Sequence, residues 1–323
     1  MNYKYSVILG NLGNTRDRFC SGYKDNPPTL KMLERAFTIP HVTGIELVGT
    51  WDISRGSAKE MGQALQQQGW ECVSIIPDLF TRPEFGRCAL ATPDDKNRSL
   101  ALDECRAMAE IAMQLNCPML NIWPGQDGFD YLLATDYALE RDHLTASLQT
   151  LASEFPDLKF ALEYKPKEPR THSYLARMAD TLLVCLETRA PNVGVTIDTG
   201  HAWVAGEVIA EQVVLAHRTG NKLFHMHFND NFSQWDDDMI VGSIHSIEYI
   251  EMLYWLDRVG YTGWLSMDQY PYREDAAGAI GESIEWLVKF ARAADTYRTE
   301  ITGLLKHRDP VKTSAFLRKI LLN

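Results

Sequence analysis

The sequence predicts an α/β fold: a single (β/α)8 TIM barrel over residues 1–296, with a C-terminal helical extension over 297–323. Three observations carry that reading. Short runs rich in Val, Ile, Leu and Phe alternate with longer helix-patterned segments eight times along 323 residues. The runs are almost continuously apolar, as expected of parallel strands covered by helices. No G-x-G-x-x-G or G-x-x-x-x-G-K-[ST] follows the first run, so the usual nucleotide-binding reason for an open sheet is missing.

The units follow in order. Tyr5–Gly10 precedes a helix at Thr29–Phe37, and Gly44–Val48 precedes Ser57–Gln68. Cys72–Pro77 is followed by Arg98–Leu115, and Met119–Pro124 by Tyr137–Glu154. Lys159–Lys165 leads to His172–Arg189, and Val193–Asp198 to Gly206–Arg218. Leu223–Asn229 with Ile247–Val259, and Trp264–Tyr270 with Gly278–Thr296, complete the set. From Tyr297 to Asn323 the pattern continues as charged amphipathic helix, placed to pack on a neighbouring subunit.

Composition narrows the class. Apolar residues make up 45% and charged residues 23%, the balance of a globular domain. Lys and Arg number 32 against 43 Asp and Glu, a net charge of −11, which argues against a nucleic-acid partner. No stretch approaches the length of a transmembrane helix, and the N-terminus lacks a signal-peptide pattern. The six cysteines form no C-x-x-C pair, and Cys72, Cys105 and Cys185 sit within apolar patterns. They read as reduced core thiols in a cytoplasmic protein.

In a barrel of this kind the active site lies at the C-terminal ends of the strands. Chemically capable residues collect there on the later strands. The fifth run ends in Glu163-Tyr-Lys165, the sixth in Asp198-Thr-Gly-His201, the seventh carries His225-Met-His227, and the eighth carries Asp268. The next loop adds Asp236-Asp237-Asp238. Alternation along a strand turns Glu163 and Lys165 to one face, and likewise His225 and His227. Singly, each has a plain reading: a helix cap at Asp198, a core histidine, a solvated acidic loop, an ion pair of Lys165 with Glu163. Together, converging carboxylates repel one another, and a divalent cation resolves the conflict. Oxygen-rich ligands with imidazole favour Mg²⁺, Mn²⁺ or Co²⁺, with Zn²⁺ as a further candidate, in one or two ions.

From the third run to the eighth, about two thirds of the chain, the sequence resembles the xylose isomerase superfamily of sugar isomerases and epimerases. Asp78-Leu-Phe80-Thr-Arg-Pro-Glu-Phe85 resembles the family's segment bearing a substrate-facing Phe. Trp123-Pro-Gly-Gln-Asp-Gly128 resembles its Trp-Gly-Gly-Arg-Glu-Gly turn. Glu163-Tyr-Lys165-Pro-Lys-Glu-Pro-Arg170 parallels Glu-Pro-Lys-Pro-Asn-Glu-Pro-Arg and is the most specific match. Asp198-Thr-Gly-His201, Asp236 with Asp238, and Asp268 complete it. Asp on the sixth strand and His227 on the seventh bring the pattern closest to the L-rhamnose isomerase branch. Two departures stand out. The stretch Glu46-Leu-Val-Gly-Thr-Trp-Asp52 lacks the His that assists ring opening in xylose isomerases, and the turn at Trp123 has lost its Arg.

The resemblance implies one metal held by Glu163, Asp198, His227 and Asp268. A second would share Asp198 and add His201, Asp236 and Asp238. Phe80, Trp123, His201 and Lys165 would touch a carbohydrate substrate, with Lys165, Asp236, Asp238 and Glu163 in catalytic roles. The expected reaction is aldose–ketose isomerisation by metal-assisted hydride shift. Lys165 would hydrogen-bond O1, and a water oriented by Asp236 or Asp238 would move the O2 proton. The alternatives are a ketose 3-epimerase or related sugar-acid enzyme using Glu163 and Asp268, a non-catalytic sugar-binding barrel, and an apurinic endonuclease, which the acidic charge disfavours. A homo-oligomer, dimer or tetramer, is expected, with the sugar's identity and phosphorylation left open.

Overall fold

The computed structural model of the chain describes residues 1 and 3–322. Among them, eight parallel strands close into a barrel: β1 (Lys4–Ile8), β2 (Val42–Val48), β3 (Glu71–Ile76), β4 (Met119–Ile122), β6 (Lys159–Glu163), β8 (Val193–Asp198), β9 (Leu223–Phe228) and β10 (Trp264–Met267). The order around the barrel is the order along the chain, closed by β1 against β10. Two further short strands, β5 (Gly128–Phe129) and β7 (His172–Ser173), pair antiparallel in the loops above the barrel.

The helices are α1 (Thr29–Ala36), α2 (Ala58–Gln68), α3 (Asp95–Gln114), α4 (Tyr137–Glu154), α5 (Met178–Glu187), α6 (Thr199–Val204), α7 (Ile209–Arg218), α8 (Ser246–Arg258) and α9 (Ala276–Thr296). Several start where a carboxylate satisfies backbone N–H groups left open by the first turn. Asp94 accepts from the Asn97 N–H, Asp136 from those of Ala138 and Leu139, and Asp275 from that of Gly278.

Strand alternation divides the interior in two. Ile45 and Leu47 on β2, Val195 and Ile197 on β8, and Met226 and Phe228 on β9 belong to the main apolar core with the helices. The intervening residues fill the barrel. Ser6, Glu46, Ser74, Asn121, Thr196, His225 and Ser266 are all fully buried or nearly so, a polar layer through the barrel's middle. One step toward the C-terminal ends, Ile8, Val48 and Ile76 alternate into a small apolar cluster of their own, joined by Phe80. Glu163, Asp198 and His227 are the corresponding residues on the later strands.

Two sequence expectations need correction. The helix expected over His172–Arg189 begins only at Met178. His172 and Ser173 pair with β5, the Ser173 N–H donates to Pro166 O, and the Lys165 N–H donates to Leu175 O. Long-range backbone pairing at the exit of β6 therefore overrides the helical pattern. The tail is not one continuous helix: α10 (Arg298–His307) and α11 (Pro310–Leu322) are separated at Arg308, which has φ +53° just before Asp309-Pro310. Asn323 lies outside the described residues. A short helix that the sequence did not suggest, α6, starts directly from Asp198. No helix among the described residues is long and apolar enough to cross a membrane. Cys72, Cys105 and Cys185 are buried free thiols, as are Cys88 and Cys117, while Cys20 is partly exposed.

Candidate active site

The C-terminal mouth of the barrel holds a cavity of about 280 Å³, the size for one small ligand. Its lining includes Phe80, Trp123, Glu163, Lys165, His201, Asp236, Asp238 and Asp268, eight of the ten residues the sequence singled out for the site. Asp198 and His227 lie fully buried in its floor, within ligand-forming reach of Glu163 and Asp268.

Two donor groups form. In the first, one ligand atom each from Glu163, Asp198, His227 and Asp268 gathers within 4.8 Å. His227 Nδ1 lies 3.4 Å from Glu163 Oε2 and 3.1 Å from Asp268 Oδ2, yet makes no hydrogen bond. In the second, Asp198, His201 and Asp236 converge within the same limit. His201 Nε2 is 3.0 Å from Asp236 Oδ2, while His201 Nδ1, 3.3 Å from Glu163 Oε1, is buried without a partner. Asp236 Oδ1 is also buried and unpartnered. Asp238 lines the cavity but joins neither group. Bare imidazole nitrogens among carboxylate oxygens are what a divalent cation requires, so these residues fit one.

Neutral side chains hold the ligands in place. Asn121 Nδ2 donates to Glu163 Oε2 at 2.7 Å, and Thr196 Oγ1 donates to Asn121 Oδ1 at 2.5 Å. Asn229 Nδ2 donates to Asp198 Oδ2 at 2.9 Å, and the His201 backbone N–H donates to Asp198 Oδ1 at 2.8 Å, so that Asp198 caps α6. Asn11 Nδ2 reaches Asp268 Oδ1 at 3.4 Å. At the start of α6, a Cβ on Gly200 would meet Asn229 Oδ1 at 2.1 Å and Asp236 Oδ1 at 2.9 Å, so only glycine lets these groups close in.

The charges are strongly coupled. Burial works against ionising Glu163, but His227, His201 and the Asn121 hydrogen bond hold its carboxyl down at about 2. Burial, reinforced by Asp236, Glu163 and Asp268, pushes Asp198 up to about 7 although His201 pulls the other way. Burial opposes protonation of His201, yet Asp198 and Asp236 raise it to about 9. Asp238 is driven well above the carboxylate range by burial and by Asp236. Lys165 does not pair with Glu163. Its Nζ sits 2.7 Å from Glu168 Oε2 and 2.8 Å from Asp236 Oδ2, and 5.3 Å from the Trp123 ring centre. Those carboxylates outweigh its burial and keep it charged.

Sequence reasoning missed Glu46, Asn121, Asn229 and Asn11. The first two interrupt the apolar runs of β2 and β4, and that interruption was their signal. The other two sit one or more residues beyond a strand end, where a polar residue is ordinary.

A (β/α)8 barrel with carboxylates and imidazoles converging at its C-terminal mouth places a donor set suited to a divalent cation where barrels of this kind carry their active sites. The sequence model of the xylose isomerase-like TIM barrel family matches residues 39–290, and the chain belongs to that family. Xylose isomerase of Thermus thermophilus is 28% identical over 224 residues, which cover 67% of this chain and 57% of that protein. The chain thus spans little more than half the length of that relative. Among solved structures, an L-ribulose 3-epimerase superposes with a TM-score of 0.73 at 12% identity, covering 93% of this chain and 98% of the other. A D-tagatose 3-epimerase-like protein gives 0.69 at 20%, covering 90% and 98%. Both share the fold.

Proposed function

We propose that the protein is a divalent-metal-dependent sugar isomerase that interconverts an aldose and a ketose. The observation that carries this reading is Asp198, which is common to both donor groups and sits beneath a cavity lined by Lys165 and Trp123. A bound divalent cation would supply Lewis-acid polarisation and alignment of the substrate's O1 and O2. Glu163, Asp198, His227 and Asp268 would hold it, with His201 and Asp236 offering a second position. Lys165 presents an ammonium group to O1, where negative charge develops as hydrogen moves from C2 to C1. A water oriented by Asp236 or Asp238 would carry the proton that leaves O2 over to O1. Phe80 and Trp123, whose ring centres lie 4.6 Å apart, exclude water from the migrating hydrogen.

A second reading, ketose 3-epimerisation, is favoured by one feature: Glu163 and Asp268 both approach His227 Nδ1, so two carboxylates flank one position. Each could serve as base or acid toward C3. The test is a panel of free and phosphorylated sugars with Mn²⁺, Co²⁺ and Mg²⁺ supplied separately, run in D₂O. Transfer of hydrogen from C2 to C1 without solvent exchange supports the isomerase. Deuterium entering at C3 overturns it for the epimerase, and absence of turnover on the whole panel overturns both. Cytoplasmic location and a homo-oligomeric state belong to the same proposal.

A further inference from the structure

We infer that Glu46 is a positioning residue that fixes the proton on His227 Nε2 and so leaves Nδ1 bare for the divalent cation. The inference rests on the metal-dependent reading above. Glu46 lies on β2, on the opposite flank of the barrel from the ligand-bearing strands, and is wholly buried. Its carboxylate spans the interior to β9. Oε1 is 2.8 Å from His225 Nε2 and Oε2 is 3.3 Å from His227 Nε2. Ser74 Oγ donates to Oε2 as well. The two imidazole rings stand edge to face, with centres 4.9 Å apart and planes at 82°.

An ionised carboxylate only accepts hydrogen bonds, so both Nε2 atoms must carry the hydrogen. An imidazole that ligates a cation has one N–H, and with it held on Nε2 the Nδ1 lone pair is the one left to bind. For His227 that lone pair faces Glu163 and Asp268 with no hydrogen bond of its own. Without Glu46 the ring could equally carry its proton on Nδ1, where it would satisfy the neighbouring carboxylates and block the cation. Glu46, His225 and His227 are themselves close enough to form a donor group. In that group both Nε2 atoms already have Glu46 as hydrogen-bond partner, whereas His227 Nδ1 has none, so the unpartnered nitrogen is the one on the Glu163 and Asp268 side. Carboxylate partners of ligating histidines orient the ring and raise its basicity in this way, and losing one typically weakens metal binding by about 10–100-fold.

Glu46→Gln keeps the side chain's shape but offers one acceptor and one donor, so it cannot accept from both rings. The test measures Mn²⁺ binding to the full chain by calorimetry with no sugar present. The Glu46→Gln protein should bind Mn²⁺ about 10-fold or more weakly at a temperature where it is folded. A purely structural Glu46 would lower Tm and leave that affinity unchanged. A second measurement needs no variant: ¹⁵N-histidine spectra of the Mg²⁺-loaded parent should show His227 protonated at Nε2 alone. Equal Mn²⁺ affinity in parent and variant, or a parent with His227 protonated at Nδ1, overturns the inference and leaves the isomerase reading standing. A parent that binds neither cation overturns the metal-dependent reading itself and this inference with it.

Discussion

The two halves of the barrel mouth are built from opposite materials. On the first three strands the last inward residues are Ile8, Val48 and Ile76, with Phe80 against them. At the matching ends of β6, β8 and β9 stand Glu163, Asp198 and His227, with Asp268 just beyond β10. The same alternation thus delivers an apolar wall to one side and titratable groups able to ligate a cation to the other. Two buried carboxyls show what an imidazole partner does. Glu163, beside two imidazoles, is held down at about 2 against its burial, whereas Asp52, held only by backbone N–H groups, is pushed up to about 7 by burial. A buried charge persists where it is paired.

The largest effect should come from the charged half. Glu163→Ala removes a ligand of the first donor group, one that approaches His227 Nδ1 at 3.4 Å and also His201 Nδ1 at 3.3 Å. Because loss of an outer-shell partner alone costs about 10–100-fold, loss of this ligand should weaken metal binding by more than ~100-fold. Elemental analysis after dialysis would read metal near background, with the far-UV circular dichroism of the parent retained. Tight binding in the variant would break the assignment of this half as the metal-holding one.

Lys165→Met should come next. Its ammonium is needed where charge develops on O1, so the interaction is stronger in the transition state than in the ground state. Removing one such donor costs about 10²–10³ in kcat. KM should change little and metal content should match the parent, because Lys165 binds Asp236 and Glu168 and belongs to neither donor group. A fully active variant on the true substrate would reduce Lys165 to an ion-pair partner.

The apolar half predicts a smaller change of a different kind. Phe80 meets Trp51 edge-on at 5.6 Å and Trp123 at 4.6 Å. Aromatic pairs contribute about 0.5–1.5 kcal/mol beyond area burial, so Phe80→Leu should raise KM by roughly 3–10-fold. Calorimetric metal affinity should stay within about twofold of the parent, since nothing in this wall donates to the ion. A drop in metal content would show that the halves are not separable.

Sequence pattern reached the two halves unequally. The edges of β8 and α4 are those the periodicity predicts, and Glu163 and Asp198 were legible because each ends an apolar strand with a charge. Glu46 escaped because its partners lie 179 and 181 residues away, and no local spacing joins them. Asn121 escaped because a lone amide in a strand takes its meaning from Glu163, 42 residues on. The helix wrongly expected from His172 fails for a related reason: a local pattern lost to backbone partners on β5 and beyond β6. What remained hidden was contact across the barrel, which only closure of the sheet creates.

Asp52 gives the last test, one that should leave catalysis almost untouched. Its side chain is 4% exposed, and Oδ2 accepts from the Val48 N–H at 3.0 Å. Burial lifts its carboxyl from 3.8 in the open chain to about 7 in the fold. A raised folded value means the native state binds the proton more tightly than the unfolded chain. The stability this confers is complete below about pH 3.8 and is lost as pH rises toward 7. At about 1.36 kcal/mol per pH unit, the loss has a ceiling of roughly 4 kcal/mol. Asn at this position keeps an acceptor for Val48 and never ionises. Asp52→Asn should therefore match the parent's Tm near pH 4 and exceed it by several degrees at pH 7, with kcat and metal content unchanged. Thermal melts of the two proteins across that range read the difference directly. Parallel Tm curves would mean that Asp52 has a cationic partner after all, and that the apolar half is less free of paired charge than its wall of Ile8, Val48 and Ile76 implies.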